Sequence, residues 1–284
     1  PVYNLMDLIS EIKTLPQVEN VEFNFKMEAF LVPNDNYYSD QWALNNTGQA
    51  VSYNGNSVGT PGCDVDAERA WNVTTGNPNV VIAILDTGID LDHPDLASEL
   101  VGGYDFVDND TNANDGNMHG TACGSIAAGT TNNGIGVAGV CWDCSLMPVK
   151  VLSDQGFGDF SDIINGVIWA SDNGANVISM SLGGGGYQSS FDNAVTYAND
   201  NGTIVIAASG NDNGSISYPA AYEDCVSVGA MSPCNERKSP SSCDGENFWG
   251  SNYGNGLDFV APGVRIHSAT IGGYTSTFNG TSSG

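Results

Sequence analysis

Residues 80–96 read VVIAILDTGIDLDHPDL. Val80, Val81, Ile82, Ala83, Ile84 and Leu85 form an unbroken β-branched and aliphatic run. Such a run suits a strand buried on both faces of a parallel sheet. It stops at Asp86-Thr87-Gly88, which sets a carboxylate at the carboxyl end of a central strand. In open α/β sheets that edge is where ligands and chemistry gather. An Asp after a strand is also an ordinary turn or cap residue. Its meaning therefore depends on the residues further along the chain.

Working outward, further apolar runs at 145–152, 176–182, 203–208, 225–230 and 257–261 read as strands, and 162–171 and 188–201 as helices. Several strands end in a polar or glycine cluster, as at Gly183 to Gly186 and Ser209-Gly210-Asn211. This alternation predicts an α/β fold with a doubly wound, mostly parallel sheet flanked by helices. Met118-His119-Gly120-Thr121 opens a run of small residues, 122–129, that reads as a buried helix packed close to a neighbour. Gly134, Gly136 and Gly139 match a dinucleotide-binding G-x-G-x-x-G, but the stretch neither follows a strand nor opens a helix, as that motif requires. A nucleotide-dependent oxidoreductase would rest on this motif alone.

The chain has 284 residues, enough for a full core, with 36 glycines, 33 acidic and 7 basic residues and a formal net charge of −26. So acidic a chain is a poor partner for nucleic acid, whose phosphates need Lys and Arg. Bound cations, a salty habitat or simple solubility suit it better. No apolar run approaches the roughly 18 residues of a membrane span, so no membrane insertion is expected. Seven cysteines, several of them in Gly/Ser/Pro-rich loops, favour disulfides and a secreted, oxidising setting. Residues 1–31 stand apart: a helical pattern at Leu5, Leu8, Ile9 and Ile12 leads through Leu15-Pro16 into an alternating, strand-like stretch at 18–25.

Asp-Thr-Gly at 86, His-Gly-Thr at 119 and Gly-Thr-Ser ending at 282 now belong together. The sequence resembles the subtilisin-like serine proteases (subtilases), most closely their thermitase-like branch, over about residues 33–284. The order Asp…His…Ser is the known subtilisin order, and this chain matches it. The resemblance implies Asp86, His119 and Ser282 as a catalytic triad, with Asn211 as an oxyanion donor. Chemically the set is coherent, because a serine hydroxyl is a weak nucleophile and needs an adjacent base held by a third group. The resemblance also implies extended polypeptide substrates, sandwiched between Gly156-Phe157-Gly158 and Ser181-Leu182-Gly183. Phe157 and Phe160 would line an apolar distal pocket, and Ser217 replaces a glycine of some relatives near the primary one.

Calcium is the implied cofactor. One site would use Asp35, Asp95 and Asn133 with the carbonyls of Thr130, Ile135 and Val137, and a second Asp105, Asp108 and Asp110, helped by Asn112 and Asn114. Both sets are the hard oxygen donors that calcium takes. Cys123 matches a free thiol that some relatives carry near the catalytic histidine. The other six cysteines would make three bridges if all paired, with Cys234–Cys243 and Cys141–Cys144 as candidates. Residues 1–31 resemble the end of an inhibitory propeptide, an intramolecular inhibitor and chaperone, with maturation near 30–34 and a catalytic domain at 32–284. A monomer is expected.

Two departures from the family pattern are Met118, where glycine is usual, and Ala122, where a second histidine is common. The chain also stops two residues after Ser282. This predicts a C-terminally truncated fragment, inactive by itself, whose nucleophile sits on a frayed end. A catalytically dead calcium- and protein-binding module of protease descent is the alternative, although it does not predict that all four catalytic positions are filled.

Overall fold

A computed structural model describes residues 5–22, 31–53 and 59–284, which fall into two compact units, Pro1–Phe30 and Leu31–Gly284. The first contains helix α1 (Leu5–Lys13), with Asp7 in its first turn and Lys13 in its last, the arrangement that complements the helix dipole. Residues 18–22 form no strand, contrary to their alternating pattern; residues 23–30, with the rest of that pattern, lie outside the described residues.

The second unit runs through α2 (Ala67–Trp71), β1 (Val81–Asp86), β2 (Tyr104–Asp105), α3 (His119–Ala128), β3 (Ser145–Lys150) and α4 (Phe160–Asp172). It continues with β4 (Val177–Met180), α5 (Ser189–Asp200), β5 (Ile204–Ala208), β6 (Val226–Ser232), β7 (Glu236–Arg237) and β8 (Phe259–Pro262). β9 (Ile266–Thr270) and β10 (Gly273–Phe278) then form an antiparallel hairpin. The main sheet has the order β2-β3-β1-β4-β5-β6-β7, with β8 also on β6, and every pairing in it is parallel except β6–β7.

β1 lies between β3 and β4, and its side chains alternate between two apolar layers. Ala83 and Leu85 pack with Val149, Val167, Ile178 and Val195 on the α4–α5 side. Ile82 and Ile84 pack with Ala122, Leu146 and Phe278 on the α3 side. The chain crosses from β3 over β1 to β4, so the sheet has its switch point beside the end of β1.

The small-residue run is explained by how closely α3 approaches the turn after β1. A Cβ on Gly120 would lie 2.1 Å from the Gly88 carbonyl oxygen and 3.0 Å from the Asp86 Cβ. Disulfides join Cys141 to Cys144 and Cys234 to Cys243. The expected third bridge is not formed: Cys63 and Cys225, like Cys123, are buried free thiols. Gly120→Ala is expected to cost about 1–3 kcal/mol, as overpacking does, read as a lower midpoint of denaturant unfolding.

Candidate active site

The carboxylate of Asp86 has no exposed surface. Its Oδ1 accepts from the Thr87 N–H at 2.7 Å, and Oδ1 and Oδ2 lie 2.8 and 3.0 Å from Nδ1 of His119. A carboxylate accepts only, so Nδ1 carries a proton, and in the neutral imidazole Nε2 is the free base. Burial works against a charged imidazole, yet the Cys123 sulfur and the Asp86 carboxylate outweigh it and hold the His119 pKa above 6.5. Burial also lifts the Cys123 thiol, keeping it neutral near pH 7, so Asp86 is the charge that His119 feels.

Three residues to which the sequence analysis gave no role, Asp115, Thr87 and Lys150, fasten this pair. Asp115 accepts through Oδ1 from Thr87 Oγ1 and the N–H groups of Asn117 and Met118, and through Oδ2 from the N–H and hydroxyl of Thr121. It thereby ties the turn after β1 to the start of α3. Thr87 Oγ1 in turn accepts from the Gly120 N–H at 3.0 Å. Lys150 ends the buried strand β3 and donates to the Thr87 carbonyl at 2.6 Å and to Asp154 at 2.8 Å. A lysine inside the apolar run PVKVL was the one signal at hand for it. Met118 has φ +95°, the left-handed region that favours glycine, which accounts for the glycine usual at this position.

Ser282 comes from a different direction, on a 3₁₀ turn (Thr281–Ser283) after the β9–β10 hairpin. This turn is held rather than frayed. The Thr281 N–H and hydroxyl donate to Asn211 Oδ1 at 2.9 and 3.1 Å, and the Gly210 N–H donates to Thr281 Oγ1 at 3.1 Å. The Ser282 carbonyl accepts from Ser181 Oγ at 3.0 Å and from Cys123 Sγ at 3.5 Å. Ser282 Oγ donates to the Ser181 carbonyl at 3.4 Å, a long contact that a better acceptor can replace. Because Asn211 Oδ1 is taken by Thr281, its Nδ2 is the end left to donate.

His119, Ser282 and Asn211 line one cavity of about 500 Å³ with Gly156, Phe157, Gly158, Ser181, Leu182 and Gly183. Leu152, Phe160, Ile163 and Phe191 add apolar lining to it. A second cavity of about 240 Å³, lined in part by Ser217, Asn211 and Ser282, adjoins it.

The first calcium set also converges. Asp95 is fully buried and Asp35 nearly so, and Asp35 Oδ1 is buried with no hydrogen-bond partner. Asn133 Nδ2 and the Val137 N–H donate to Asp95 at 2.7 and 2.8 Å, and the Asn132 N–H to Asp35 at 2.8 Å. Burial raises both carboxyl pKa values, and the Asp95 charge adds to the rise at Asp35. Among the described residues neither has a Lys or Arg within ion-pair distance. A Cβ on Gly136 would fall 1.9 Å from Asp95 Oδ2, so the G-x-G-x-x-G stretch wraps a carboxylate. An orphaned carboxylate oxygen beside a second buried carboxylate fits a hard cation.

The second set is looser. Asp105 Oδ1 is taken by the N–H groups of Val107 and Asp108, Asp110 Oδ1 by that of Asn112, and Asn114 Oδ1 by that of Leu91. Asp108 and Asp110 are exposed.

The family model described as the subtilase family matches residues 77–283. The chain is 38% identical over 282 residues to the thermophilic serine proteinase of Bacillus sp. (strain AK1), covering 99% of this chain and 64% of that protein. It is 39% identical over 219 residues to thermitase of Thermoactinomyces vulgaris, covering 77% of this chain and 75% of thermitase. Among solved structures, a cold adapted subtilisin-like serine proteinase is similar with a TM-score of 0.66 and 31% identity, covering 85% of this chain and 79% of that one.

The raised His119 pKa means that the folded state holds this proton more tightly than the unfolded chain does. The pair's contribution to stability is therefore complete below pH 6.5 and is lost as pH rises through the folded value. In Asp86→Asn the His119 pKa is expected to fall toward or below 6.5, as followed by NMR titration of the imidazole.

Proposed function

Because the chain belongs to the subtilase family, we propose that it serves as a secreted, calcium-dependent serine endopeptidase acting on extended polypeptides. The observation that carries this reading is the 2.8 Å contact between Asp86 and His119 Nδ1, made beside a cavity that His119 shares with Ser282 and Asn211.

In the proposed reaction His119 Nε2 takes the proton of Ser282 as its Oγ attacks the scissile carbonyl. Asp86 keeps the imidazole in the tautomer that allows this and stabilises the imidazolium that results. Asn211 Nδ2 and the Ser282 N–H donate to the developing oxyanion. His119 then returns the proton to the leaving amine, leaving an acyl-enzyme that water opens by the same steps in reverse.

The substrate backbone lies between 156–158 and 181–183, where main-chain pairing supplies affinity and side-chain pockets supply preference. The apolar lining of the cavity favours apolar side chains. Bound calcium supplies the positive charge that Asp35 and Asp95 lack. Asn133 and the carbonyls of Thr130, Ile135 and Val137 complete this set, and Asp105, Asp108 and Asp110 offer a second, more exposed one. Residues 1–31 serve as the end of an inhibitory, chaperoning propeptide. The two disulfides support an oxidising, extracellular setting.

An apolar peptide anilide, assayed with calcium, tests the reaction. Ser282→Ala is expected to abolish hydrolysis; a variant that cleaves at the unsubstituted rate would refute the proposal. Asn211→Ala is expected to lose about 10²–10³ in kcat with little change in KM, a magnitude measured on subtilisin. Chelation is expected to lower the melting temperature, since calcium at 100 times its Kd stabilises a native state by about 2.7 kcal/mol. Asp95→Asn should reduce that response to EDTA to what the second set contributes.

A further inference from the structure

Away from the triad, residues 238–249 hold a second cluster of buried charge. Lys238 is fully buried, and its Nζ donates to Asp244 Oδ1 at 2.8 Å, the Ser239 carbonyl at 3.0 Å and the Glu246 carbonyl at 2.5 Å. It also lies 5.1 Å from the ring centre of Trp249. The Cys234–Cys243 disulfide closes a ring that contains Lys238 and hands the chain directly to Asp244. Asp244 Oδ1 accepts in addition from the Glu246 N–H at 2.9 Å. The ring and the ion pair fix where Glu246 stands.

The Glu246 carboxylate, only 1% exposed as a residue, is not used by Lys238. Its Oε2 accepts from Trp249 Nε1 at 2.9 Å, and its Oε1 accepts from Asn279 Nδ2 at 3.2 Å and lies 3.5 Å from Arg265. The Arg265 N–H donates to Asn279 Oδ1 at 2.6 Å, and the Gly280 N–H to the Gly263 carbonyl at 2.9 Å. Asn279 therefore has both ends of its amide occupied, and it immediately precedes the Gly280-Thr281-Ser282 turn, where Gly280 takes φ +127°. A chain held at Asn279 on one side and at Thr281 by Asn211 on the other has little freedom left at Ser282.

We propose that Glu246 is a positioning residue for the nucleophile, acting through Asn279 to set the turn that carries Ser282. This rests on the endopeptidase reading above. Glutamine is isosteric but cannot replace this carboxylate: it would turn an NH₂ group toward either Trp249 Nε1 or Asn279 Nδ2, both donors. A misplacement of the order of 1 Å costs up to about 10²-fold in rate, so the effect belongs in kcat.

The test compares unsubstituted protein with Glu246→Gln and, independently, Asn279→Ala, which cuts the link and leaves the buried charges in place. Kinetics are expressed per site titrated by an ester burst, and hydrogen exchange is followed over residues 279–284. Each variant is expected to lose about 10–100-fold in kcat per titrated site, with KM within about twofold. Exchange at 280–282 should rise while that of β1 and α3 stays unchanged. Unchanged kcat per site and unchanged local exchange, with only a lower melting temperature, would overturn the proposal and leave Glu246 a support of the fold. An inactive unsubstituted protein that still shows the local exchange response would remove the endopeptidase reading and leave the positioning of the turn standing.

Discussion

The structure depends on keeping a carboxylate at the buried end of a central strand. Burying an ion is tolerated only where donors and a counter-group replace the water it loses. Asp86 meets that condition with the Thr87 N–H and His119, and the geometry around it is built to the same end. Glycine at 120 lets α3 come close enough for His119 to reach, and glycine at 88 leaves room for the 113–114 backbone. Asp115, Thr87 and Thr121 lock the helix start to the strand turn. Lys150 donates to the backbone oxygen of that turn from the neighbouring strand. Ser282 is brought to this assembly by a separate segment and needs fixings of its own.

Two other buried charge clusters adopt different solutions to the same cost. Asp35 and Asp95 sit together with an unpartnered oxygen and backbone N–H groups, a set suited to a cation from solution. Asp244 Oδ1 and both Glu246 oxygens are met by Lys238, Trp249, Asn279 and Arg265 from within the chain, while Asp244 Oδ2 stays without a partner among the described residues. A protein with a formal charge of −26 has few basic residues, and three of its seven, Lys150, Lys238 and Arg265, stand in these networks. Their placement beside the Asp86 turn and the Ser282 turn links the charge pattern to function.

Much of this was legible because it depends on local pattern. The run at 80–85 became β1, the small residues after His119 became α3, and the segments 156–158 and 181–183 line one cavity with His119, Asn211 and Ser282. The context test that set aside nucleotide binding at 134–139 agrees with the loop found around Asp95. What could not be read depends on contacts between distant segments. Glu246 and Asn279 are 33 residues apart, and no spacing rule joins them. Asp115 looks like one more acid in an acidic loop until its five donors are seen. The alternation at 18–22 misled because a short stretch with period two becomes a strand only where a neighbour accepts its hydrogen bonds. The counting of six cysteines into three bridges failed for a similar reason: Cys63 lies against the Ser232 carbonyl, while Cys225 belongs to the core beside α4 and α5.

The most direct measurement is covalent labelling of the calcium-loaded protein with a peptidyl phosphonate ester, followed by mass spectrometric mapping. One phosphonyl group per chain is predicted, on Ser282, with labelling lost in His119→Ala. A folded protein labelled elsewhere, or labelled at Ser282 equally well without His119, would contradict the triad.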